Sequence, residues 1–244
     1  MVQQLAMVID AAKCIDCKGC VAACKVANNV PEGQFRNWIK HAEFQVVPGI
    51  SDNKARFQPG ACMHCEKPTC VDACPTGATY KDMDTGEVVI DESLCIGCGN
   101  CIPACPYDAR YRNEVTRKAD KCNYCPERRA AGLSPACVDT CPTKARVFGD
   151  INDPTSAAGA LYVKNRERLT RVSAQTDTLP NMYYLGDPGP GHWGGKAVVP
   201  ASMVAMKESA PFIKGIVALS GLGVLAMLGR QLFAGSEHKE DTDA

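Results

Sequence analysis

The chain has 244 residues with 27 basic and 27 acidic side chains, so its formal net charge is zero. With no basic tract and no interleaved aromatic stripe, nucleic acid is excluded as a partner. Aromatics are only 6% of a composition that holds 21 glycines, 16 prolines and 16 cysteines; ordinary side-chain packing can fill little of the interior, and whatever the cysteines bind must supply the rest.

In chain order, LAMVID at 5–10 reads as a short strand leading to Cys14, Cys17, Cys20 and Cys24, spaced C-x2-C-x2-C-x3-C. KGCVAACKVA at 18–27 reads as a short helix carrying Cys24 inward, ended by Pro31 and Gly33. The segment 34–61 lacks cysteine; Phe44–Val47 is an expected strand, and Trp38 is expected in the core. Cys62, Cys65, Cys70 and Cys74 then read C-x2-C-x4-C-x3-C-P. His64 lies inside this run, but cysteines already fill its ligand positions, so it is expected behind them or at the surface. YKDMDTGEVVID at 80–91 reads as a β-hairpin turning at Asp84-Thr85-Gly86.

Cys95, Cys98, Cys101 and Cys105 repeat the spacing of the first run with proline added, and Cys122, Cys125, Cys137 and Cys141 read C-x2-C-x11-C-x3-C-P. The long gap PERRAAGLSPA predicts a helical turn closed by Gly132, with Glu127, Arg128 and Arg129 solvated. TKARVFGD predicts a strand, and Asn152-Asp153-Pro154 caps a helix expected over 155–164. The glycine- and proline-rich stretch that follows has the composition of an arm lying on another protein, with Tyr183, Tyr184 and Trp193 as its anchors. The apolar run Phe212–Phe233 predicts a single transmembrane helix, with Lys214 and Arg230 able to snorkel at its ends.

Three thiolates two residues apart on a curling loop can converge on one iron–sulfur cubane, while a fourth, followed by proline, turns toward the other cluster of a pair. Sixteen such ligands predict four [4Fe–4S] clusters. Disulfides are one alternative, but they suit short secreted domains, and the start MVQQLAMVIDAAKC has no signal-peptide pattern. Zinc also takes C-x2-C pairs, yet does not explain Pro75, Pro106 and Pro142 after three of the fourth cysteines. Metal binding of this kind is folding energy, so the apo chain should be largely unfolded. Tyr107, Arg110, Tyr111 and Arg112 follow the third run, and Lys118 and Lys121 precede the fourth; positive charge there would raise cluster potentials.

The block from PTGATY to CIGCGNCIPACPY resembles a bacterial two-cluster ferredoxin. Its ligand pattern implies a crossed assignment: Cys62, Cys65, Cys70 with Cys105, and Cys95, Cys98, Cys101 with Cys74. Pairing the outer runs likewise gives Cys14, Cys17, Cys20 with Cys141, and Cys122, Cys125, Cys137 with Cys24. The expected fold is therefore α+β, a duplicated two-cluster ferredoxin-like fold with one unit inserted in the other. Its expected parts are 1–60 and 113–164 as halves of the outer unit, 61–112 as the inner unit, 165–210 as the arm, 211–233 as the membrane helix and 234–244 as a polar tail.

The cysteine order, the P-T-G and P-Y-D contexts after Cys74 and Cys105, the long-gap fourth run and the stretch LPNMYYL resemble the iron–sulfur subunit of the molybdopterin oxidoreductases of the dimethyl sulfoxide reductase type. The group includes subunits of polysulfide, thiosulfate, tetrathionate, arsenate and nitrite reductase systems and of formate dehydrogenases. The resemblance implies a non-catalytic electron-transfer subunit that links a large molybdopterin-type catalytic subunit to an integral membrane quinone-binding subunit or a multihaem cytochrome. With the apolar helix it implies a place at the inner cell membrane, periplasmic if the chain is co-exported with its catalytic partner and on the cytoplasmic face otherwise. A stand-alone polyferredoxin carrier is the rival reading.

Overall fold

The computed structural model describes residues 2–41, 57–172, 174 and 176–186. Strand β1 (Leu5–Asp10) is buried along nearly its whole length, and the chain is wound around it. Helix α1 (Gly19–Ala27) follows through the first cysteine run. Next, β2 (Asn37–His41) pairs antiparallel with β3 (Phe57–Ala61), which ends just before Cys62. Past α2 (Thr69–Asp72), the expected hairpin forms from β4 (Thr79–Lys81) and β5 (Val88–Ile90); Gly86 takes the left-handed φ of 71° that its turn requires. A second small ribbon, β6 (Tyr111–Arg112) with β7 (Ala119–Asp120), leads to the fourth cysteine run. Helix α3 (Pro126–Ala130) then forms inside the long ligand gap, and α4 (Ala136–Asp139) begins at its last residue. Strand β8 (Arg146–Asp150), helix α5 (Ala157–Asn165), β9 (Leu169–Thr170) and β10 (Met182–Leu185) complete the described chain.

The largest sheet has the order β8-β1-β10-β9. In it β1 runs antiparallel to β8, with Val8 opposite Val147, and parallel to β10, with Val8 opposite Tyr183. The alternation of a strand then sorts its residues into two layers. Leu5, Met7 and Ile9, with Met182 and Tyr184, face the cysteine-bearing core; Ala6, Val8 and Tyr183 face α5 through Ala158, Leu161 and Tyr162. Ser156 caps α5, its hydroxyl accepting the Gly159 N–H at 2.9 Å.

The α+β, duplicated ferredoxin-like architecture is therefore present, with one correction. Among the described residues no helix is long and apolar enough to cross a membrane, α1 and α5 being the longest at nine residues each. The transmembrane helix expected at 211–233, the tail after it and the strand expected at Phe44–Val47 all lie outside the described residues. The membrane span is withdrawn from the fold, and the inner-membrane location that rested on it is withdrawn too.

Two further expectations change. Tyr183 and Tyr184 are not free to anchor an arm on another protein: both are buried within the large sheet, and the Tyr184 hydroxyl donates to the Pro59 carbonyl at 2.8 Å. Trp193 lies outside the described residues. Arg129 is not simply solvated, because one of its terminal nitrogens bonds both oxygens of the buried Glu87 at 2.8 and 2.9 Å.

Candidate metal centres

Each C-x2-C bracket is closed by the same local device. The second residue between the two cysteines takes a left-handed φ: 54° at Asp16, 43° at His64, 68° at Gly97 and 55° at Tyr124. For three non-glycine residues this costs energy, and its recurrence at equivalent places marks four loops built alike.

The loops and the helices after them gather the thiols into groups. Cys14, Cys17, Cys20 and Cys141 line one pocket with Ile39, Pro59 and Arg146 (site A). Cys62, Cys65, Cys70 and Cys105 line another with Met63, Val88 and Arg110 (site C). Burial pushes the Cys24 thiol up to about 12, with Cys137 and Cys125 beside it adding to the rise. Burial likewise raises Cys122 well above the ordinary thiol value, with Cys137 and Cys24 next to it; these four form site B. Cys101 is raised by burial with Cys74 and Cys95 adjacent, and Cys98 stands on the same loop between two glycines (site D).

Two cysteines move the other way. At Cys74 and Cys141 burial pushes the thiol up, but hydrogen bonds from the following turn outweigh it and the net shift is downward. The Thr79 N–H lies 3.4 Å from the Cys74 sulfur and the Ala145 N–H lies 3.3 Å from that of Cys141; the Thr76 and Thr143 hydroxyls are 3.7 Å from the same two sulfurs. Each cysteine begins a C-P-T-x-A turn. The proline fixes φ and the backbone doubles back, aiming its amides at sulfur. Such donors favour the thiolate, which is the metal-ligating form.

Among the described residues no three His, Cys, Asp or Glu side chains come close enough to share one metal ion. A tetrahedral zinc site would hold its sulfurs about 3.8 Å apart, given Zn–S bonds of about 2.3 Å. Thiols gathered around a common space but more widely parted suit the larger body of an iron–sulfur cubane.

Sites B and C meet across an aromatic contact. His64 is fully buried, accepts the Val88 N–H on Nδ1 at 3.0 Å and stacks on Tyr124 with centroids 3.9 Å apart. Burial, with Lys121 and Arg110 nearby, holds its pKa well below the ordinary histidine value, so the ring is neutral. Tyr124 packs in one buried cluster with Cys62 and Cys65 of C and Cys122 and Cys137 of B, so the two sites lie side by side. Arg146 stands by cysteines of both A and B and Arg110 by cysteines of both C and D, so the sites follow one another in the order A, B, C, D. Cys17 in A and Cys98 in D are exposed, whereas every thiol of B is buried, as are all of C except the partly exposed Cys105.

Of the cations singled out in the sequence, Arg110 and Lys121 are buried, and the Lys121 ammonium donates to the Val88 and Cys122 carbonyls. Arg112 is exposed and Lys118 half-buried, and they bond backbone carbonyls of Arg117 and Glu92 respectively. Tyr107 and Tyr111 use their hydroxyls on Thr178 and Asp120 at 2.7 and 2.6 Å. Two residues went unnoticed in the sequence. Asn28 places its amide 3.7 Å from both Cys24 and Cys125, and Arg146 is buried between sites A and B. A signal for Arg146 existed: C-P-x-x-A-R occurs at both Cys105 and Cys141.

The family described as "4Fe-4S dicluster domain" matches residues 53–151, and a second of the same description matches 13–78. A tetrathionate reductase subunit of Salmonella typhimurium is 40% identical over 181 residues, 74% of this chain and 72% of that one. Protein NrfC of Escherichia coli is 43% identical over 179 residues, 72% of this chain and 78% of its own. The chain belongs to this iron–sulfur family. Thiosulfate reductase electron transfer subunit PhsB of Salmonella typhi, 45% identical over 156 residues, covers 63% of this chain and 79% of its own. The molecule is thus a 4Fe–4S ferredoxin-like electron-transfer subunit of the respiratory oxidoreductase type, and its cysteine loops are those of cluster-binding ferredoxin domains.

Proposed function

We propose that this iron–sulfur subunit holds four [4Fe–4S] clusters on all sixteen of its cysteines, in the crossed groups A to D, and relays electrons between a molybdopterin-type catalytic subunit and a quinone-reactive or haem-bearing partner. Residues 1–60 and 113–164 form the outer two-cluster unit, and 61–112 the inner one. The observation that carries the reading is the gradient of exposure along the order A, B, C, D: thiols reach the surface at Cys17 and Cys98, while Cys62 and Cys122 at the junction are buried. Two accessible ends joined by a dry middle is the arrangement a relay between two docked proteins needs.

Bound clusters supply the one-electron redox change. The chain's residues supply its setting. Turn amides at Thr79 and Ala145 hold sulfur as thiolate, and the His64–Tyr124 stack keeps water out of the junction. The names of the relatives, one a subunit of tetrathionate reductase and another an electron transfer subunit of thiosulfate reductase, support a role inside a larger reductase. The resemblance noted in the sequence supports molybdopterin in its catalytic partner.

Protein prepared without oxygen is expected to carry about sixteen irons and as many acid-labile sulfides. Paramagnetic resonance during a stepwise redox titration should show several interacting signals appearing at different potentials, and the native complex should contain a large partner identifiable by its peptides. Bound zinc, markedly less iron, or magnetic silence at all accessible potentials would overturn the reading. Recovery of the native chain only as a monomer would favour a free polyferredoxin.

A further inference from the structure

The turn C-P-x-x-A-R occurs twice, from Cys105 to Arg110 and from Cys141 to Arg146. Both arginines are almost fully buried, at 4% and 2% exposure. Neither has a carboxylate within ion-pair distance among the described residues. Arg110 donates from one nitrogen to the Thr79 hydroxyl at 3.1 Å, but its Nε and second terminal nitrogen meet no acceptor oxygen or nitrogen. Arg146 makes two long bonds, to the Trp38 and Gly60 carbonyls at 3.5 and 3.4 Å, and its other terminal nitrogen has no such acceptor. A buried, permanently charged guanidinium without an anion is among the costliest arrangements a protein interior can hold.

What stands opposite each of them is sulfur. Arg110 lines site C and acts on Cys70 and Cys62 of that site and on Cys101 of site D. Arg146 lines site A and acts on Cys20 there and on Cys137 of site B. Each arginine is therefore placed between the two sites of one ferredoxin unit, at the same step of the same turn.

We propose that Arg110 and Arg146 are shared counter-charges, one for each ferredoxin unit, and that each raises the reduction potentials of both centres in its own unit while leaving the other unit's potentials in place. The inference rests on the reading of the sixteen cysteines as ligands of four clusters. Adding an electron to a thiolate-held cluster increases its negative charge, and a fixed positive charge beside it stabilises that state. Burial keeps the effect from being screened by salt. The exposed Arg112 lacks that protection. With separate arginines, the potential of one pair can be set without disturbing the other, which gives a four-site relay two independent steps.

The test uses anaerobically purified holoprotein and redox titration followed by paramagnetic resonance. Arg110→Gln is expected to move two centres to more negative potential and leave two unmoved; Arg146→Gln should move the other two. Both shifts should persist at high salt. Arg110→Lys and Arg146→Lys keep the charge and lose the planar fork, and should stay close to the native potentials; they also serve if the glutamine variants fail to assemble. Four reducible centres with unmoved potentials in the glutamine variants, all four moving together in either variant, or lysine variants shifting as far as glutamine ones would overturn this inference alone. A native protein without four reducible centres would overturn the underlying reading and this inference with it.

Discussion

Inside each C-x2-C bracket a single backbone torsion decides whether the flanking thiols turn to a common side. Asp16, His64 and Tyr124 accept the left-handed conformation at a cost of about 1 kcal/mol or more each, whereas the third run places Gly97 there. Gly97 is constrained twice, because a Cβ would run into the Arg117 carbonyl, which already accepts from Arg112 Nε at 3.3 Å. Gly97→Ala should therefore open the Cys95–Cys98 loop, and iron analysis should find one cluster fewer while the other three remain. Full iron content would show that the loop tolerates a side chain. At this scale the ligands were legible because cluster chemistry is local in sequence, with thiols two or three residues apart. Burial of His64 was not legible. Its place in the core comes from a stack on Tyr124 and a bond from the Val88 N–H, and no spacing rule encodes a partner 60 residues away in the chain.

Between elements, the β4–β5 hairpin, α3 and β8 are tied by side chains that look ordinary in sequence. The β4–β5 hairpin and the short helix α3 formed where the sequence predicts them, since turn glycines at Gly86 and Gly132 fix both. The ion pair joining them escaped notice because Glu87 and Arg129 are 42 positions apart. Arg129 also lies over the Phe148 ring, 5.7 Å from its centroid, and so connects the hairpin, α3 and β8. Glu87 is 6% exposed, and removing its partner leaves a carboxylate in the interior. Arg129→Ala should lower stability by about 3 kcal/mol, read as a lower midpoint in anaerobic denaturant titration. A loss below about 0.5 kcal/mol, the usual size for a solvated surface charge, would return Arg129 to the surface role its sequence context suggests. Strand β10 was hidden for a similar reason: MYYL sits in a stretch with the composition of an external arm, and only pairing with β1 shows that Tyr183 and Tyr184 belong to this chain's own sheet.

Across the whole molecule, the core that packs around β1 is interleaved with thiols: Cys20, Cys62, Cys65, Cys122 and Cys137 belong to the same buried cluster as Met7, Ile9 and Tyr184. Remove the metal, and those positions become small polar-edged side chains around unfilled space, with two buried guanidinium groups left facing neutral sulfur. Aromatics amount to only 6% of the chain and cannot compensate. Metal affinity should here be folding free energy. Anaerobic chelation at pH 7 should convert the protein to an expanded chain, seen as earlier elution on size exclusion and loss of the folded circular dichroism signal. Readdition of iron and sulfide should restore both. The pH dependence has a definite sign. Burial raises Cys24 and Cys105 to about 12 in the folded arrangement, and in the expanded chain a thiol titrates at about 8.5, so in either state the unligated thiols hold their protons at neutral pH. Ligation must release those protons, hence reconstitution should become less favourable as pH falls and more favourable as it rises toward 9. A chelated protein that kept its compact size and spectrum would mean that the apolar layers around β1 suffice by themselves, and that the cysteines occupy a core they do not build.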